Sequence, residues 1–114
     1  MFDFEKLAVY QKVKSINSDI YSLINEKSFD RITNDQLRRA SFSIMLNIAE
    51  GMSRFSRKDR KNFMVISRGS AFECVAIIDF LKDQEQISFE DHKLFYTKLE
   101  DISKMLFGLI RKLE

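Results

Sequence analysis

Chemistry in this chain has to start from its ligands and nucleophiles, and of the two most versatile kinds there is one histidine, His92, and one cysteine, Cys74. A metal site needs clustered His, Cys or carboxylate ligands, and two such residues far apart in sequence do not supply one. No metal and no cofactor are expected. Ser–His–Asp or Cys–His catalysis would have to recruit the same lone histidine, and no glycine-rich loop is present to cradle a nucleotide phosphate. His92 reads most simply as a first-turn residue at a helix start, and Cys74 as a small buried apolar residue flanking an inward stripe. The expected class is a binding protein and not an enzyme.

The informative chemistry lies in the cations. A formal net charge of +2 is too small by itself to argue for nucleic acid, but from Arg31 to Arg68 nine bases face three acids, while the remainder is acidic. Arg54, Arg57, Lys58, Arg60 and Lys61 gather on a loop and the first turns of a helix, the wrong end for the helix dipole. Two readings stay open. Such a run is an ordinary solvated face, or it neutralises phosphates while Phe55 and Phe63 stack on bases or pack.

A polar line is the second anomaly, because Ser43, Asn47, Ser70 and Glu73 occupy positions of otherwise apolar stripes. An antiparallel hairpin centred near Ser53 pairs positions whose numbers sum to about 106, which sets Glu73 within a turn of Asn34, Leu37 and Arg38. A carboxylate buried there needs a partner, so Arg38 or Arg39 is expected to meet it. The same arithmetic places Gly69 and Ser70 against Leu37, where two backbones could approach closely. Asn47, Glu50, Ser70 and Glu73 are thus expected to form a structural polar network that fixes helix register, with a small-ligand site near Glu73 as the other reading.

The elements that position these residues follow from composition and periodicity. With 45% hydrophobic and 32% charged residues, no Pro and three Gly, the strongest loop punctuators are scarce and long helices are favoured. The spacing predicts a helix over about 4–26, N-capped by Asp3, with Val9, Val13, Ile16, Ile20 and Leu23 inward. Thr33 with Gln36 reads as a capping box opening a second helix that buries Leu37, Ala40, Ile44 and Ile48 and stops at Gly51. Ser56 with Asp59 opens a third, with Phe63, Ile66, Ser70, Glu73, Ile77 and Phe80 inward to about Gln84. Ser88 with Asp91 opens the last, with a stripe of His92, Phe95, Leu99, Ile102, Leu106, Leu109 and Leu113.

Four helices with short links predict an all-α, antiparallel up-down four-helix bundle, a single domain over residues 1–114. Its size suffices for one core without staples. The lone cysteine, the lack of a signal-peptide pattern and the absence of an apolar run near 18 residues predict a soluble cytoplasmic protein with no membrane partner. Phe42, Met45, Leu46 and Ala49 on helix two, and Val65, Phe72 and Val75 on helix three, lie off the principal stripes. A helix apolar on more than one side is expected to be covered, and self-association is the simplest cover.

At helices two and three the sequence is recognisable: Gln36-Leu37-Arg38-Arg39-Ala40-Ser41, then Ser43-Ile44, then Asn47-Ile48-Ala49-Glu50-Gly51, then Arg60, Phe63 and Ser67-Arg68-Gly69-Ser70 with Glu73. It resembles the bacterial 23S rRNA intervening-sequence proteins, often labelled ribosomal protein. The motif spans residues 36–73, and Arg38, Arg39, Asn47, Glu50, Gly51, Arg68, Ser70 and Glu73 are its signature positions. Met45 stands where that family often has proline, and Tyr10 where many members have tryptophan. The resemblance implies an up-down bundle assembled into a ring-like homopentamer. It also implies kinship in fold with the accessory protein of diversity-generating retroelements, which binds nucleic acid and a reverse transcriptase through a basic surface.

The leading functional expectation is a homo-oligomer that binds nucleic acid, structured RNA first, through Arg54, Arg57, Lys58, Arg60 and Lys61 with Arg38, Arg39 and Arg68. The alternative is a scaffold oligomer that recruits a partner protein, with the bases only solubilising it.

Overall fold

The computed structural model describes residues 1–114. A short 3-10 helix, η1 (Asp3–Lys6), precedes α1 (Ala8–Glu26), α2 (Arg31–Met52), α3 (Arg57–Asp83) and α4 (Phe89–Lys112). Each long helix packs on its neighbours in the cyclic order α1–α2–α3–α4, with α1 and α4 closing the square. The molecule is therefore an antiparallel up-down four-helix bundle, 44 × 22 × 21 Å. Its length is that of α3, because 27 residues at 1.5 Å rise span about 40 Å.

Local chemistry sets most of the helix ends. Ser56 and Ser88 accept hydrogen bonds from the backbone N–H of Asp59 and Asp91, as the spacing predicted. The start of α2 differs from expectation. Asp30, not Thr33, is the cap: its carboxylate accepts from Thr33 N–H at 2.8 Å and from the Thr33 hydroxyl at 3.0 Å. These bonds hold the Asp30 carboxyl below the usual carboxylate range. The expected Asp3 cap of α1 is also absent, because residues 3–6 form η1 and α1 begins after the extended Leu7.

The core takes the predicted stripes of α1, α2 and most of α4: Val13, Ile16, Leu37, Ile44, Ile48, Leu99, Ile102 and Leu106 are fully buried. Helix α3 corrects the expectation. Its buried residues are Met64, Ser67, Ser70, Ala71, Cys74, Ile78 and Leu81, while Ile66, Glu73 and Phe80 are exposed. Because α3 carries apolar residues on two adjacent stripes, periodicity alone favours the one that holds Phe63 and Phe80. The stripe that faces inward has small residues at its centre, Ser67 to Cys74, with Met64, Ile78 and Leu81 towards its ends.

Gly51 does not end α2. It is buried within the helix, which runs on to Met52, and its φ is negative. A Cβ there would lie 2.9 Å from Phe63 Cβ and 3.1 Å from Met64 Cε, so Gly51 is the point where the α2 and α3 backbones come together. Gly69, expected to play that role, has nothing within 4 Å of its Cβ position. Observed cross-helix pairs such as Ser43–Ser70 have numbers summing to about 113. The register is therefore shifted by about two turns from the midpoint estimate.

Candidate nucleic-acid interface

The end of the bundle built by the α2–α3 turn carries the densest charge. Arg54 extends back to Glu50 at 2.6 Å and lies 4.8 Å over the Phe63 ring. Arg60 Nε donates to the Arg54 carbonyl at 2.7 Å, which ties the turn to the first coil of α3. Arg57 donates to the Lys112 carbonyl at 2.6 Å, and Lys61 meets Glu114 at 3.5 Å. Those two contacts bring the end of α4, with Arg111 and Lys112, into the same cluster. Lys58 makes no ion pair and is exposed. Bonds to backbone carbonyls position a guanidinium without cancelling its charge. The carboxylates close to the cluster are Glu50, Asp59 and Glu114.

At the tip of this turn Phe55 is 102% exposed, following Arg54 in the chain and preceding Arg57 and Lys58. Phe63, by contrast, is half-buried beneath Arg54. The aromatic side chain free to meet a partner is thus Phe55. An exposed ring among cations offers stacking together with phosphate neutralisation.

The remaining predicted bases lie elsewhere. Arg38 and Arg39 sit on α2 roughly 20 Å from the turn at 1.5 Å per residue. Arg38 stacks on Tyr21 of α1 at 4.4 Å, while Arg39 is exposed and makes no ion pair. Arg68 is on the α3–α4 face, where its Nε donates to the Ser103 carbonyl at 3.3 Å and its guanidinium lies between Phe72 (4.8 Å) and Phe107 (5.3 Å). The eight bases are therefore one cluster and two outlying positions. Arg111 and Lys112 were missed because chain-distant neighbours leave no local pattern.

The polar network exists in part. Ser43 and Ser70 hydroxyls are 2.7 Å apart, Asn47 donates to the Ser43 carbonyl (2.8 Å) and hydroxyl (3.0 Å), and Ser70 also reaches the Ile66 carbonyl. Ser67, fully buried, donates to the Ile44 carbonyl at 2.7 Å and adds a link that the sequence reading lacked. Glu50 and Glu73 are not members. Glu50 is exposed and pairs with Arg54, and Glu73 is exposed without an ion pair, so neither Arg38 nor Arg39 meets it. The rotation of α3 explains this, since Glu73 lies on its exposed face and not on the stripe packed against α2.

Of the two residues weighed for catalysis, Cys74 is buried and its thiol is pushed up to about 12 by burial, with the Glu73 charge adding to it. His92 is largely covered and its Nε2 lies 2.6 Å from Asp79 Oδ1, an α3–α4 link. No helix is long and apolar enough to cross a membrane.

An all-α bundle with a basic end and a serine-lined α2–α3 seam is the class that these features define. The chain belongs to the 23S rRNA-intervening sequence protein family, whose model matches residues 5–108. It is similar in structure to a crystal structure of a protein of unknown function from the S23 ribosomal protein family of Bacteroides thetaiotaomicron. The TM-score is 0.84 over 90% of this chain and 98% of that one, at 24% identity, a likeness of fold. No curated protein matches the chain.

Proposed function

We propose that the protein is a non-enzymatic, homo-oligomeric bundle that binds nucleic acid, structured RNA in the first instance, through the end formed by the α2–α3 turn and the α4 terminus. The observation that supports it most is the fully exposed Phe55 set among Arg54, Arg57, Lys58, Arg60 and Lys61, with Arg111 and Lys112 beside them. Cations at the N-terminus of α3 oppose the helix dipole, so their placement costs stability that a structural role does not repay. Phosphates would reverse that cost. Assembly is supported by large apolar side chains left exposed on the flanks, among them Leu46, Val65, Phe72 and Phe107. In the ring-like assembly, several basic ends would act on one strand.

The test is the triple variant Arg57→Glu, Lys58→Glu, Lys61→Glu in an RNA-binding titration at about 50 mM salt, where phosphate contacts are strongest. Glutamate is favoured at Arg57 and Lys58 in the first turn of α3, which offsets the lost contacts of Arg57 and Lys61 to the end of α4, so the variant is expected to keep its helical circular dichroism with a small change in thermal midpoint. Binding should fall by at least about tenfold, since several phosphate contacts are lost. Undiminished binding would remove the basic end from the function. A second reading, a scaffold that recruits a protein, is favoured by the exposed apolar flanks, and a partner protein retained after nuclease treatment would support it.

A further inference from the structure

On the opposite flank from Arg68, a shallow, open groove between α1 and α2 offers about 370 Å³ and is lined by Lys14, Asn17, Ser18, Tyr21, Phe42 and Met45. That volume lies within the range of small-molecule sites, about 300–1,000 Å³. Its floor is unusual. Asn17 is only 8% exposed, yet its Oδ1 accepts no hydrogen bond and its Nδ2 reaches only the Met45 thioether at 3.7 Å, a weak acceptor. Arg38, which stacks on Tyr21 at the edge of the groove, has a buried Nε that is likewise unpartnered. Of the three buried side-chain polar atoms without a protein partner, Asn17 Oδ1 belongs to the lining of this groove and Arg38 Nε to the residue stacked on its Tyr21.

Native proteins satisfy buried polar groups, and exceptions call for an explanation such as a bound group. We propose that the α1–α2 groove is a subsite for an unpaired nucleobase and its phosphate. An amide offers one acceptor beside one donor in a plane, the complement of a base edge, and the asparagine–adenine pair is the standard instance. Tyr21 and Phe42, both close to half exposed, supply flat apolar surface for the ring. Lys14 lines the groove and the Arg38 guanidinium lies over Tyr21, and these two cations would serve as the phosphate partners. Met45, unbranched and flexible, is the side chain that must swing from Asn17 to admit the base edge.

A free nucleotide and an unpaired nucleotide of an RNA strand present this same chemistry. The strand as source rests on the proposed function, whereas the subsite itself does not. The experiment is a ¹H–¹⁵N titration of the full chain with AMP, with a short oligoadenylate and with ribose 5-phosphate, following the Asn17 side-chain amide. AMP and the oligonucleotide should shift that amide and ribose 5-phosphate should not. Oligoadenylate displacing AMP identifies a strand as the source, and AMP binding without such displacement identifies a free nucleotide.

Asn17→Leu removes the unpaired amide while filling its space, so it should stay folded and bind AMP about tenfold or more weakly, the effect of losing a bidentate base contact. Tyr21→Leu should also weaken AMP while keeping apolar cover. The charge-reversed basic end should lose RNA but keep the AMP shift, whereas Asn17→Leu should keep low-salt RNA binding, so the two proposals fail separately. An Asn17 amide indifferent to AMP and oligoadenylate would overturn the subsite. So would equal AMP affinity in Asn17→Leu, or a loss of assembly mass in the variants without any nucleotide effect, which would mark the groove as a contact between copies.

Discussion

Two glycines on facing helices show how one residue type does opposite work. At Gly51 an added Cβ would strike Phe63 Cβ, an atom one bond from the backbone that no rotamer change can move. Gly51→Ala is therefore expected to destabilise by about 1–2 kcal/mol in denaturant titration, overpacking outweighing the helix-propensity gain. Gly69→Ala meets open space and should stabilise by about 0.5–1 kcal/mol. The reverse order would contradict the close approach. Cys74 gives a pH-dependent prediction. Burial raises its thiol from the ordinary 9.0 to about 12, so the unfolded chain loses this proton first as pH rises. Stability should decline from about pH 9 upward, and Cys74→Ala should flatten that slope in denaturation measured across the range. Native Cys74 should also resist thiol reagents at pH 8 until the chain is unfolded.

At the scale of helices and turns, the α3–α4 connection holds the clearest strain. Glu85 has φ 57°, and Gln86 N–H bonds back to the Leu81 carbonyl at 2.9 Å, the arrangement that a glycine usually completes at a helix C-terminus. Left-handed backbone costs a side-chain-bearing residue roughly 1–2 kcal/mol, part of which glycine's greater unfolded-state freedom offsets. Glu85→Gly should stabilise by about 0.5–1 kcal/mol, checked by denaturant midpoint; a loss would show that the Glu85 side chain helps to hold the turn.

Element types and most inward stripes were legible in the sequence because Val, Ile and Leu recur on one face of α1, α2 and α4. On α3 two stripes compete; Ser70 is buried as expected, but only packing against its neighbours selects Ser67, Ala71 and Cys74 over Ile66, Glu73 and Phe80. The same gap hid the meeting of Gly51 with Phe63 and the true place of Glu73. Of the candidate site, the run Arg54–Lys61 was readable as a local charge pattern. Arg111 and Lys112 were not, since they join it through the fold. Asn17 did leave a signal, one amide spaced four from Val13 and three from Ile20 in an apolar stripe.

For the whole molecule, the bundle separates its chemistry by location. The seam between α2 and α3 spends its polar groups on register through Ser43, Ser67 and Ser70. The flanks keep apolar side chains in view, and one end concentrates cations around an exposed ring. That end has the densest charge for long-range attraction to a polyanion, because Arg38, Arg39 and Arg68 lie apart from it on the helix flanks.

The most direct measurement of this account is the affinity for a structured RNA fragment at about 50 and 200 mM salt, with light scattering on the same samples to define the binding species. If roughly five cations at the basic end each release a counterion, affinity should fall by about a hundredfold or more over that range. The triple glutamate variant should lie far below wild type at low salt. Affinity that is flat with salt, or equal in wild type and variant, would contradict the basic end as a nucleic-acid interface.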